Sequence, residues 1–178
     1  MKKLLNTFAA IGAALSLLVG CATINSLSPA QVAQIGTVIT QVADEGAVYA
    51  IQQDGRNAAY FKAAIPVLDN FANGTDLSPT ALQTALSNTT LGTNQWVGLA
   101  ITAVVVTYDV SYSQYISGQL TNSPAAKAWI VAVETGFKQA TGVTALKAGK
   151  PVCPSFVVNG KVDKAVLKAR VKAAVAKK

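Results

Sequence analysis

Three serine–proline pairs punctuate the chain, in Leu27-Ser28-Pro29-Ala30, Leu77-Ser78-Pro79-Thr80 and Asn122-Ser123-Pro124-Ala125. A serine just before the first helical turn accepts hydrogen bonds from backbone amides that have no partner inside the helix. Proline in that first turn loses nothing, because the N–H it lacks would be unpaired there. Each pair therefore marks a helix start. The residues that follow do not match at a fixed period, so the recurrence is capping chemistry and not an internal repeat.

Apolar spacing fills in the elements. After Ser28 the stripe Val32, Ile35, Ile39, Val42, Gly46, Tyr49 recurs every three or four residues, with Gln31, Gln34, Gln41 and Gln52 off it, as on an amphipathic helix. A second helix is predicted from Asn57 to Phe71, with Phe61, Ile65, Leu68 and Ala72 on one face. Pro66 inside it predicts a kink or break. Ser78 opens a short third helix with Ala81, Leu82, Ala85 and Leu86 inward, and a polar turn region follows.

Trp96 to Val106 reads WVGLAITAVVV, apolar except for Thr102. Periodicity does not decide such a run. Taken with Tyr108, Val110 and Tyr112 it reads as part of a buried helix of about two dozen residues around which the others wrap, or as a strand; length and the helical neighbours favour helix, and Val-Val-Val favours strand. As an apolar run it is too short, and too soon followed by Asp109, to cross a bilayer. Ser123 opens a fifth helix with Ala126, Trp129, Ile130, Val133, Phe137 and Ala140 on one face. Gly149 to Gly160, GKPVCPSFVVNG, reads as an ordered extended loop, since Pro151 and Pro154 forbid regular helix and Asn159-Gly160 is a turn pair. Lys161 to Lys178 is expected to be a final basic helix. The fold class is all-α: one bundle of five or six helices over residues 28–178, with a short extended proline-containing loop before the last helix.

The first twenty-one residues are MKKLLNTFAAIGAALSLLVGC. Lys2 and Lys3 precede an apolar stretch from Leu4 to Val19, shorter than the roughly twenty residues a bilayer requires, and no basic cluster follows it. Leu18-Val19-Gly20-Cys21 resembles the lipobox of bacterial prolipoproteins at all four positions. The resemblance covers the export segment alone. It implies cleavage between Gly20 and Cys21, a diacylglycerol thioether on Cys21 and an acylated new amino terminus. Two or more chains anchor stably, at ~0.8 kcal/mol per buried methylene. Residues 1–20 are then a signal peptide, and residues 21–27 the lipidated cysteine and a tether that spans at most ~20 Å. By the same resemblance, Ala22 in place of Asp after the cysteine implies the outer membrane, on its periplasmic face.

Charge is divided unevenly along the chain. Cys21–Ala126 carries two basic and six acidic residues, net −4, and Lys127–Lys178 carries eleven and two, net +9. A split of this size points to an anionic partner for the C-terminal third. Lys161, Lys164, Lys168, Arg170, Lys172, Lys177 and Lys178 are the candidate contacts. The plain alternative is a solvated helix whose lysines serve solubility. Near an anionic bilayer each Lys or Arg contributes about 1 kcal/mol. Nucleic acid is not expected as a partner, because export removes it and the segment has no aromatic residue for base stacking.

Little catalytic chemistry is available. The chain has no histidine, which removes Ser-His-Asp and Cys-His catalysis and any histidine-ligated metal. Acylation of Cys21 leaves Cys153 alone: a buried thiol behaving as a small hydrophobe, or an exposed one bridging to a partner chain. Asp44-Glu45, the adjacent carboxylates, diverge by about 100° on a helix, which suits a solvated face. Asp69 to Asp76 has the outline of a calcium loop, yet Phe71 and Thr80 stand where oxygen ligands belong, and Asn73-Gly74 reads as a helix C-cap. No catalytic residue, metal site or cofactor is expected. The expected function is a membrane-anchored helical lipoprotein of the cell envelope, acting by binding or structural association with an anionic envelope component or an envelope protein. The alternative is a phage-encoded surface lipoprotein that blocks superinfection at the receptor or at DNA entry.

Overall fold

All three serine–proline pairs cap helices. Ser28 Oγ accepts from Gln31 N at 3.3 Å while the Gln31 side chain accepts from Ser28 N at 3.0 Å, a reciprocal capping box. Ser78 Oγ accepts from Ala81 N at 3.3 Å, and Ser123 Oγ from Ala126 N at 3.2 Å. The computed structural model describes residues 27–89, 95–116, 123–142 and 152–176, so the expected signal segment with Gly20 and Cys21, most of the expected tether, Lys177 and Lys178 lie outside the described residues.

Among the described residues there are six helices: α1 (Pro29–Gln53), α2 (Asn57–Ala72), α3 (Pro79–Ser87), α4 (Gln95–Tyr115), α5 (Pro124–Gly142) and α6 (Lys164–Ala176). A two-stranded hairpin, β1 (Val157–Val158) with β2 (Lys161–Val162), precedes α6. The fold is an all-α bundle.

The predicted stripe of α1 is its buried face: Ile35, Ile39, Val42, Gly46 and Tyr49 are buried. This helix packs against α5, α4, α6 and α2, while α4 packs against α1, α3, α5, α6 and the hairpin, so the two long helices together form the centre of the bundle. Its contact with α5 is close because Gly136 has no side chain. A Cβ there would stand 2.5 Å from the Thr40 carbonyl oxygen and 2.6 Å from Ala43 Cβ. Two side chains stitch the same pair of helices, Trp129 Nε1 donating to Val32 O at 3.1 Å and Thr40 Oγ1 to Ala132 O at 3.1 Å.

Residues 95–115 are helical because both broad sides of the run find partners. Leu99, Ala100, Ala103, Val104 and Tyr108 enter the core, and the buried Thr107 and Ser111 hydroxyls donate back one turn to Ala103 O and Thr107 O, each at 2.8 Å. At 21 residues α4 is long and apolar enough to span a bilayer by length and composition, which corrects the expectation drawn from the shorter apolar run. Half of that window is buried inside the bundle.

Helix α2 runs through Pro66 without a break, so of the kink or break expected there the break does not occur. The proline lies on the exposed side, where water can satisfy the carbonyl that lost its donor. Short α3 is held at both ends by buried tyrosines, Tyr108 donating to Leu77 O and Tyr60 to Leu86 O.

The loop expected before the last helix is a hairpin. Asn159 (φ 52°) and Gly160 (φ 71°) are both left-handed, the backbone of a type I′ turn, which reverses the chain and pairs Val157 with Val162. Lys161 and Val162 therefore belong to a strand, correcting the helix expected from Lys161. Asp163 then caps α6, accepting from Ala165 N at 2.8 Å and Val166 N at 3.2 Å. Phe156, just before the hairpin, is fully buried with Val42, Ala103 and Leu167 in a small second core.

The Gly136 contact predicts opposite signs for two alanines. Gly136→Ala should lower stability by about 1–3 kcal/mol through overpacking against backbone. Gly98→Ala, whose Cβ meets nothing within 4 Å, should raise it by up to about 1 kcal/mol through helix propensity. Denaturant unfolding of the two variants beside the parent protein measures both.

Candidate functional site

The basic candidates do not form one uniform face. Lys161 is exposed on β2, and Lys164, Lys168 and Lys172 are exposed on successive turns of α6. That helix has no acidic residue, and none of the four lysines is paired with a described acid. The opposite side of α6 buries Leu167, Val171 and Ala174. The lysine ladder is thus the outward face of a helix whose inner face is core.

Arg170 stands apart from the ladder. Its Nη1 lies 3.1 Å from Glu45 Oε2, its Nη2 donates to Ser155 Oγ at 2.6 Å, and its guanidinium lies 5.6 Å from the centre of the Phe156 ring. It joins α6, α1 and the hairpin approach through three different interactions. Only a planar guanidinium can fork in this way while stacking on a ring. In this structure its charge is committed inside the molecule and not offered to a surface.

A cleft of about 460 Å³ opens beside this knot, lined by Asp44, Glu45, Gln52, Cys153, Ser155 and Arg170. Cys153 is exposed, which removes the buried-thiol alternative of the two expected for it; its Sγ lies 3.8 Å from Val157 O. The Tyr49 hydroxyl is pushed above its ordinary range, chiefly by burial and next by the neighbouring Cys153 thiol. The adjacent carboxylates do not share the solvated face expected of them. Glu45 pairs with Arg170, and Asp44 is half-buried with an Oδ1 that has no hydrogen-bond partner. Burial, then the nearby Glu45 charge, raises the Asp44 carboxyl above its ordinary 3.8.

A cleft of about 600 Å³ lies between α3 and α4 and ends at Lys164. Ile101, Val105 and Val106 contribute apolar lining, and Thr80, Gln83 and Asp109 polar lining. Asp109 is the acidic group lining it. Among the described residues no group of three or more His, Cys, Asp or Glu side chains converges as a metal site would require. Within Asp69–Asp76, the outline of a calcium loop, α2 ends at Ala72, Asn73 Nδ2 donates to Asp69 O at 3.0 Å, and Asn73 Oδ1 accepts from Lys127 Nζ at 3.2 Å.

Two predictions follow from the Arg170 knot and its neighbour. Arg170→Ala should cost about 1–2 kcal/mol and speed amide exchange in the hairpin, with Arg170→Lys restoring only part of the loss. Asp44 has a raised folded-state pKa, so its ionised form is disfavoured in the native protein and stability falls as pH rises through that value. Asp44→Asn should therefore match the parent protein near about pH 3 and exceed it at about pH 7, read by denaturant midpoints at both.

Comparison of the chain with protein-family profiles, with curated proteins and with solved structures gives no match, so the site's own chemistry carries the functional argument.

Proposed function

We propose that this protein is a lipid-anchored helical protein of the bacterial cell envelope, held through Cys21, that acts by binding an anionic envelope partner and not by catalysis. The observation that carries the reading is the ladder of Lys164, Lys168 and Lys172, exposed along a helix free of acidic residues. The signal-like Leu18-Val19-Gly20-Cys21 supports the anchor, and transfer to the periplasmic face of the outer membrane follows from Ala22 by the same resemblance.

The direction of α6 refines what the ladder meets. This helix runs back along α1, with Leu167 beside Val42 and Ala173 and Ala174 beside Gln34 and Thr37. Its upper lysines therefore lie about 20 Å along α1 from Leu27, at 1.5 Å per helical residue. That is more than two Debye lengths at physiological salt, about 8 Å each. With Leu27 near the headgroups, the ladder addresses an anionic polymer or protein that rises from the membrane, and its lower end alone feels the lipid.

Replacing Lys164, Lys168 and Lys172 together by Glu tests this without removing the core residues of α6. Membrane retention and thermal stability should stay as in the parent, while envelope components recovered by crosslinking in intact cells should be lost. Recovery of the same components at the same yield refutes the contact. Cys21→Ser should be recovered as a soluble, unlipidated species.

A further inference from the structure

We infer that the end of the bundle that receives the tether is itself a lipid-docking surface, seated in the interfacial layer of the bilayer. The inference rests on the anchoring of Cys21 proposed above. Leu27, the first described residue and the last of the tether, lines an apolar groove of about 400 Å³ with Pro29, Val32, Tyr115, Ile116 and Ala125. The groove is built from the start of α1, the end of α4 and the start of α5, so three helices bring their ends to one place. Ile116 is buried and forms part of its floor, whereas Tyr115, Val32 and Leu27 are half-buried around it.

Charge singles out this end. No Asp, Glu, Lys or Arg occurs from Ala22 to Ala43, nor from Val110 to Ala126. Those two windows supply every residue of the groove. Entering the boundary between headgroups and acyl chains therefore desolvates no ionised side chain from the groove. The half-buried tyrosine suits that boundary, since its ring is apolar and its hydroxyl can stay hydrated. Lys127, exposed one turn into α5 and bonded to Asn73, can extend to lipid phosphates. The acidic group that bears on Tyr112, Asp76, is exposed and accepts from Ser78 N, compatible with headgroup water. At the other end of α1 the connection to α2 carries the Asp54–Arg56 ion pair.

The tether decides the occupant. Six residues after Cys21 reach Leu27, so the acylated sulfur lies within ~20 Å of the groove. Tethering at such range makes contact with the bilayer effectively intramolecular, whereas a second copy or another protein must diffuse to the same face.

Lipids carrying a photoactivatable diazirine in the acyl chain provide the test, using the lipidated mature protein in vesicles of phosphatidylethanolamine and phosphatidylglycerol. After illumination, peptide mass spectrometry should find adducts on Leu27–Val32, on Tyr115–Ile116 and on Ala125. Tyr115→Glu should leave the protein in the vesicle fraction and remove most adducts from the α4 end. Retained protein with adducts on α6 or the hairpin, or with none on the folded body, overturns the docking surface and leaves the anchor standing. Cross-links between copies through the groove overturn it equally. Release of the parent protein into the soluble fraction overturns the anchor and the docking surface together.

Discussion

The absence of a side chain at Gly136 is the constraint on which the rest of the packing depends. It lets the α5 backbone approach the Thr40 carbonyl and the Ala43 methyl of α1 more closely than any larger residue would permit. That approach brings Trp129 within bonding distance of the Val32 carbonyl and lets Thr40 reach the Ala132 carbonyl. A second near contact, where a Cβ on Gly46 would stand 3.3 Å from Ala100, sets α4 against another part of α1. With α5 and α4 both seated on it, α1 is packed along most of its length. The stripe from Ile35 to Tyr49 is then enclosed, because every side chain on it meets a neighbour.

The C-terminal third is attached to this frame by different physics. Phe156 supplies apolar burial, the Asn159-Gly160 turn supplies direction, and Arg170 ties hairpin, α1 and α6 together with a charge. The strongly basic segment therefore divides its labour. One cation is consumed in holding the segment to the body, and the lysines on the outer turns keep their charge for solvent or a partner. Nothing in their spacing alone separates those roles, because Glu45 is 125 residues from Arg170 in the chain.

Features set by near neighbours were legible. Serine caps act over three residues, and all three form; the fifth-helix stripe Ala126, Trp129, Ile130, Val133, Phe137, Ala140 is buried throughout. The exposed lysines of α6 were legible too, since charge and periodicity sufficed. Local rules were less successful where they competed. Asn159-Gly160 and Asp163 were both visible, yet a continuous basic run suggested one helix from Lys161; turn and cap together displaced the start to Lys164. Pro66 suggested a kink or a break, and the helix does not break; propensity carries no information on which side meets water.

The sequence by itself determined where the serine–proline-capped helices begin, which faces of α1 and α5 are apolar, the lack of histidine and the concentration of positive charge near the C-terminus. These depend on contacts within a few residues or on composition, and survive any arrangement of the elements. Tertiary structure alone decided that residues 95–115 are helix, that Cys153 is exposed, that Asp44 and Glu45 have different partners, and that Arg170 turns inward. Each of these is a question of burial or pairing across long separations. The answer depends on which surface lies opposite, and a linear chain does not contain that surface until the bundle has closed.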